Sequence, residues 1–141
     1  MNSNLKRYND SALVYGILAM IGGVFFREFT RFNDFTGKTL LSVIHTHYFV
    51  LGVAGSLILL LLRMNFSFDE RKLWNHEIVF HVGLNATVFM MMVRGIMQVI
   101  EFPLSRGVDA AISGIAGIGH IVLGTAIILL ILDIGKAVDR S

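Results

Sequence analysis

Four histidines stand inside apolar stretches of this sequence, and their chemistry is the first clue to its function: His45, His47, His81 and His120. Burying an ionisable side chain among hydrocarbon costs about 2.5–3.5 kcal/mol for the charged types, so such a residue is by default a functional candidate. The sequence contains no cysteine, which excludes disulfides, iron–sulfur clusters and covalently attached c-type heme. Any metal chemistry therefore falls to histidine.

The spacing of His45-Thr46-His47 indicates that the two histidines serve two separate sites. Residues two apart on a helix project about 200° from each other, so these imidazoles cannot chelate one ion together. His45 shares its face with Gly52, and His47 shares the opposite face with Leu51. A helix with an imidazole on each side suits two cofactors, or one cofactor in each of two adjacent clefts.

Two arginines are candidates for holding an anion at the depth of the outer histidines. Counted inward from the outer boundary of the apolar stretches, three histidines lie roughly 9–15 Å deep: His45, His47 and His120. Arg94 lies at a comparable depth, and its planar guanidinium suits a carboxylate. The alternative is that Arg94 extends outward and pairs with Glu101. Arg106, in the following loop, is a second candidate by the same argument.

The apolar stretches predict four transmembrane helices in a single domain, 1–141. Apolar residues make up 55% of the chain and its mean hydropathy is +0.69, values beyond those of an ordinary soluble domain of this size. A span needs roughly 20 apolar residues, and four segments approach or exceed that length: about 11–26, 39–62, 78–100 and 110–132. We therefore expect an all-α integral membrane protein, a four-transmembrane-helix bundle whose surroundings are a lipid bilayer.

The basic residues indicate how this bundle is oriented. One group falls with the termini and the middle loop: Lys6, Arg7, Arg63, Arg71, Lys72, Lys136 and Arg140. A smaller group falls on the other side: Arg27, Arg31, Lys38 and Arg106. The excess predicts cytoplasmic termini in a multi-pass protein of the cell membrane. The charges form no continuous basic strip, so nucleic acid is not expected as a partner.

The residues His45-Thr46-His47-Tyr48-Phe49-Val50-Leu51-Gly52 resemble one helix of the catalytic subunit of the heme–copper oxidases, cytochrome c oxidase subunit I. In that family the first histidine of His-x-His-Tyr binds the high-spin heme and the second binds the low-spin heme. The resemblance implies that His45 and His47 are axial heme ligands. It also implies that Arg94 or Arg106 matches, by position, the arginines that hold the heme propionates. The chain is similar, too, to small four-helix bacterial membrane proteins with this motif.

The resemblance implies an assembly as well as a cofactor. The oxidase subunit resembles three four-helix repeats around a pseudo-threefold axis, and this chain has the length of one repeat. A homotrimer of twelve helices is therefore implied, with a heme b (protoheme) between His45 of one chain and His47 of its neighbour. His120 is the reserve ligand. The copper-site histidines of that family have no counterpart here, so the chain is not expected to be an enzyme on its own.

The sequence leaves three functions open, and the resemblance favours the first. The first is a heme b protein for electron transfer, or for redox or gas sensing, with an unidentified redox partner. The second is a small proton or metal-ion transporter or channel subunit that uses a histidine relay across the bilayer. The third is a structural or accessory membrane protein whose histidines pack between helices.

Overall fold

The computed structural model describes residues 3–140, and every regular element within them is helical. Three helices are long and continuous: α1 (Ser3–Phe32), α4 (Glu70–Val99) and α5 (Arg106–Val138). Between α1 and α4 the chain forms α2 (Leu41–His47), a π-helical segment (Tyr48–Ala54) and α3 (Gly55–Asn65). These three run on as one rod, Leu41–Asn65, which we call span 2. The protein thus has four helices long and apolar enough to cross a membrane, as the hydropathy predicts.

Capping residues explain where α4 and α5 begin. The Asp69 side chain accepts a hydrogen bond from the backbone N–H of Lys72 at 3.2 Å, and the Ser105 hydroxyl accepts one from Val108 N–H at 3.4 Å. Each cap satisfies a backbone donor that has no partner inside the first helical turn. The short loop before α5 contains Pro103, which has no backbone N–H to continue α4.

The first helix is longer than its apolar run. The predicted span ends at Phe26, but α1 continues through Arg27 and Glu28 to Phe32. Glu28 lies 3.7 Å from Arg31, one turn further along the same helix. Such i,i+3 pairs support a helix after its hydrophobic stretch has ended, so a change in polarity does not mark the end of the helix here.

Close contacts at small residues determine how the helices pack. At Gly83 of α4 a Cβ atom would lie 2.7 Å from the backbone nitrogen of Leu123 in α5. At Gly95 it would lie equally close to the backbone nitrogen of Leu41 in span 2. Glycine therefore lets two neighbours approach α4 at backbone distance. As a result α4 is the most buried of the four helices, with span 2 and α5 packed against it and α1 packed along span 2.

Charged side chains tie the helices together at the end that holds residues 3, 66–69 and 140, which we call the terminal face. The buried carboxylate of Glu77 pairs with Arg7 at 2.9 Å and also accepts a hydrogen bond from Tyr8. His76 Nδ1 lies 2.6 Å from Asp133, which links α4 to α5. These contacts fix the relative heights of α1, α4 and α5. The loops 33–40 and 100–105 form the opposite face.

Candidate functional site

His47 ends α2 and holds its imidazole in a fixed orientation. Its Nδ1 lies 2.9 Å from the carbonyl oxygen of Val43, one turn earlier. A carbonyl can only accept, so the ring proton is on Nδ1 and the lone pair of Nε2 remains available. Histidines that ligate a metal commonly donate their second ring nitrogen to a carbonyl or carboxylate in this way, because the bond fixes both tautomer and ring orientation. His47 is half-buried.

His120 in α5 repeats this geometry. Its Nδ1 lies 2.9 Å from the carbonyl oxygen of Ala116, so its Nε2 also keeps its lone pair. The side chain is exposed. Gly117 and Gly124 flank it on nearly the same helix face, and a Cβ atom at either glycine would meet nothing within 4 Å. A flat group could therefore lie against the α5 backbone beside this imidazole.

An apolar groove of about 290 Å³ separates span 2 from α5. We call it the α5 groove; its lining is Val50, Leu51, Gly55, Ile58, Leu59, Phe80, Ile127, Leu130, Ile131 and Ile134. His47 lies one turn before Leu51 on the same face of span 2, and His120 lies two turns before Ile127 on the same face of α5. Both histidine faces therefore continue the walls of this groove.

The two histidines also lie at similar depth. Leu41 is level with Gly95 of α4, and Gly119 is level with Thr87. Counted in residues from these contacts, the heights of His47 and His120 along the α4 axis differ by about 5 Å, at about 1.5 Å per residue. One histidine of the His-x-His pair and the predicted reserve ligand therefore lie at similar depth, on span 2 and α5, and neither is among the residues that line the α5 groove.

His45 lies on a different side of span 2. A Cβ atom at Gly23 of α1 would be 3.8 Å from the Cβ of His45, so this imidazole lies against α1. Its Nδ1 is buried without a hydrogen-bond partner among the described residues, and its Nε2 lies 3.5 Å from the Thr46 hydroxyl. His45 and His47 thus do not meet, in keeping with the two-residue spacing.

Arg94 and Arg106 lie closer than these histidines to the opposite face, which the loops 33–40 and 100–105 form. Arg94 donates to the Ser113 hydroxyl at 2.6 Å and pairs with Asp109 at 3.0 Å, so its partners are in α5. The alternative partner suggested by the sequence was Glu101, which instead lies in the turn after α4 with a φ of 50°. Arg106 is exposed in the first turn of α5.

A second polar group was not predicted from the sequence. The Tyr15 hydroxyl lies 2.7 Å from His81 Nδ1 and accepts a hydrogen bond from Asn85 at 3.1 Å. The Tyr48 hydroxyl donates to Asn85 Oδ1 at 3.1 Å. His81 and Asn85 are four residues apart in an apolar span, which places them on one face of the helix. Two polar residues on one face of such a span are a sequence signal for this site. Their tyrosine partners lie 37 to 70 residues away in sequence.

Within residues 3–140, no three histidine, aspartate or glutamate side chains converge to hold a metal ion. Two imidazoles at similar depth on two helices suit a different kind of metal group. A heme supplies four ring nitrogens itself and needs only axial ligands from the protein. The arrangement of His47 and His120 is consistent with that requirement.

The chain belongs to the family described as protein of unknown function DUF2871, whose sequence model matches residues 5–137. Comparison with curated proteins and with solved structures gave no match. The family match covers all four long helices, so the geometry described above belongs to the family region of the chain.

Proposed function

We propose that this DUF2871 protein binds heme b in the membrane, with His47 and His120 of one chain as the axial ligands. One observation carries the proposal: both imidazoles bind a carbonyl of their own helix through Nδ1 and keep Nε2 available at similar depth. The apolar groove between their helices begins one turn from His47, at Leu51, and two turns from His120, at Ile127. The resemblance of His45-Thr46-His47-Tyr48 to the oxidase helix supports the same cofactor.

The surroundings of this groove suit a porphyrin. Its walls are apolar below the two histidines, which excludes water and favours burial of a flat hydrophobic ring. Gly117 and Gly124 leave open space beside His120. The propionates of a heme would extend toward the opposite face, where Arg94 and Arg106 lie. Because Arg94 already pairs with Asp109 at 3.0 Å, Arg106 is the arginine better placed to take a new carboxylate.

The ligand pair determines the class of function. When bound, heme b supplies a reversible one-electron change at iron. Two imidazoles leave no open coordination position, so the site suits electron transfer or redox sensing rather than chemistry on a substrate. The residues of the chain would hold the ring, set its orientation through the Val43 and Ala116 carbonyls, and keep water out.

The assembly in this proposal is a homotrimer with cytoplasmic termini. Gly114 of α5 lies in open space, with nothing within 4 Å of a Cβ atom built there, and such small residues favour close helix packing in membranes. The α5 groove also opens at the side of the chain. In the trimer a neighbouring chain would cover it there.

Three alanine variants of the purified protein test the ligand assignment. We expect His47→Ala and His120→Ala each to reduce the amount of heme bound at least about tenfold. Loss of a residue that only orients a metal ligand already lowers affinity about 10- to 100-fold, and loss of the ligand itself costs more. His45→Ala is the matched control, from the same helix, and should retain heme. The measurement is the heme-to-protein ratio with the reduced α-band spectrum, after expression with added heme precursor.

Other patterns of heme loss among the three variants would support a different ligand pair or refute the proposal. Loss of heme in His45→Ala but not in His120→Ala would replace the single-chain pair by one shared between chains. Full pigment in all three variants, or a folded wild-type protein without heme after incubation with hemin, would refute the heme proposal. Added imidazole should restore the spectrum of His120→Ala, which separates ligand loss from misfolding.

A further inference from the structure

We propose that the groove between α1 and α4 binds a lipid-soluble quinone, with His81 as hydrogen-bond donor to the ring. This site is independent of the proposed heme site, since no residue of α5 lines it. We call it the α1 groove; its lining is Asp10, Ser11, Val14, Tyr15, Leu18, His81 and Asn85, and its volume is about 340 Å³.

The hydrogen bonds around Tyr15 set the protonation of His81. The Tyr15 oxygen accepts from the Asn85 amide at 3.1 Å, and the Asn85 carbonyl accepts from Tyr48 at 3.1 Å. Every group is satisfied if Tyr15 donates its hydroxyl proton to His81 Nδ1, 2.7 Å away. The ring proton of His81 is then on Nε2. Among the described residues this N–H has no hydrogen-bond partner, so it is a donor available to a ligand in the groove.

The charge of the groove selects the ligand. Its lining includes the carboxylate of Asp10 and neither lysine nor arginine, which disfavours a phosphate. His81 lies inside the apolar stretch 78–100, about 5 Å from its start at about 1.5 Å per residue. An uncharged acceptor is therefore the chemistry that fits.

The shape of the site favours a flat ring with an apolar tail. Tyr15 is 5% exposed and stacks with both Tyr48 and His81, at ring-centre distances of 5.5 and 5.6 Å, so it holds the His81 ring in place at the wall of the groove. Ser11 lies one turn from Tyr15 on the same face and offers a hydroxyl to a second carbonyl. A quinone carries two carbonyls on one ring and matches this pair of donors.

The groove continues along the membrane-facing surface toward the opposite face. Leu18 and Asn85 line both the α1 groove and a second apolar groove of about 460 Å³. The second groove is lined further by Ile21, Phe25, Val88, Phe89 and Met92. An isoprenoid tail can extend along this path in contact with hydrocarbon side chains. The quinone head and tail would thus each meet a matching part of the structure.

Binding of ubiquinone-1 to the protein in lipid nanodiscs tests this proposal, with empty nanodiscs correcting for partition into lipid. Two variants remove different features: His81→Leu removes the donor, and Val14→Trp fills the groove without touching the hydrogen bonds. We expect His81→Leu to weaken binding about tenfold, the upper range for one lost hydrogen bond. Val14→Trp should also weaken binding, because the indole occupies the space that the quinone ring needs. Met20→Trp, on the same helix at an exposed position outside the groove, is the matched control and should bind as the wild type does.

The outcomes separate this site from the heme site. His120→Ala should bind ubiquinone-1 normally even where it has lost heme. No binding above the empty-nanodisc level would overturn the proposal, and so would equal binding by wild type and Val14→Trp. A phospholipid found bound by native mass spectrometry, and displaced by Val14→Trp but not by ubiquinone-1, would assign the groove to lipid instead.

Discussion

Two buried threonines, Thr39 and Thr87, differ in whether their hydroxyl group is hydrogen-bonded. Thr39, 7% exposed, donates to the Gly95 carbonyl at 2.9 Å and accepts from the Leu41 N–H at 3.3 Å. Thr87, fully buried between α4 and α5, has no hydrogen-bond partner for its hydroxyl among the described residues. A buried hydroxyl contributes to stability only when it is hydrogen-bonded. Thr39 therefore links span 2 to α4, while Thr87 contributes through its packing alone.

Replacing each threonine by valine should change stability in opposite directions. Valine keeps the shape and removes the hydroxyl, so Thr39→Val should cost about 1 kcal/mol by leaving the Gly95 carbonyl without its donor. Thr87→Val should be neutral or stabilising by up to about 1 kcal/mol. Unfolding of the two variants in one detergent measures the difference. Equal destabilisation by both would show that the Thr87 hydroxyl has a partner in the membrane.

The candidate site could be predicted from the sequence only where its geometry is local. The two-residue spacing of His45 and His47 suffices to place them on different sides of one helix. The partners of Arg94 could not be predicted, because the nearness of Asp109 and Ser113 depends on how α5 approaches α4. The Tyr15–His81 contact joins residues 66 apart and has no local pattern for the same reason.

At the scale of the helices, hydropathy predicted the number of spans but not their internal geometry. All four long helices overlap a predicted apolar stretch. The second stretch, 39–62, lies within three residues of Leu41–Asn65 at both ends, whereas α4 begins at Glu70, eight residues before the predicted 78. The π-helical segment Tyr48–Ala54 was not predicted. A π segment adds roughly one residue without changing composition, so an average over hydropathy cannot show it. It directly follows His47, and π segments occur frequently at functional sites.

Glycine substitutions test the packing of α4 on α5. Gly83→Ala would put a methyl group 2.7 Å from the Leu123 backbone, and we expect it to cost about 1–3 kcal/mol because the helices must separate. Gly135→Ala, in α5 with nothing within 4 Å, should gain about 0.5–1 kcal/mol from helix propensity. Thermal unfolding of both variants measures this. Similar losses in both would mean that another surface covers Gly135.

At the scale of the whole molecule, the four crossings place residues 3 and 140 on one face, while 33–40 and 100–105 form the other. Most basic residues lie with the terminal face, which predicts that this face is cytoplasmic. Three of them pair with carboxylates there: Arg7 with Glu77 at 2.9 Å, Arg63 with Glu70 at 2.7 Å and Lys72 with Asp69 at 3.8 Å. The rule counts lysines and arginines and is not a net-charge rule, so these pairs leave the bias as it is.

Labelling of single introduced cysteines measures the orientation of the protein in the membrane, because the sequence has no cysteine of its own. Thr36→Cys lies in the loop of the opposite face, and Ser67→Cys lies in the loop of the terminal face; both positions are exposed. A membrane-impermeant maleimide should label Thr36→Cys in intact cells and Ser67→Cys only after permeabilisation. The reversed pattern would place the terminal face outside.

An even number of crossings has an evolutionary consequence. Since α1 begins and α5 ends on the same face, a duplication that joins copies head to tail leaves every repeat with the same orientation in the bilayer, and only a short connecting segment is needed. Fused copies would then be free to diverge, so that one repeat could keep its imidazoles while another lost them.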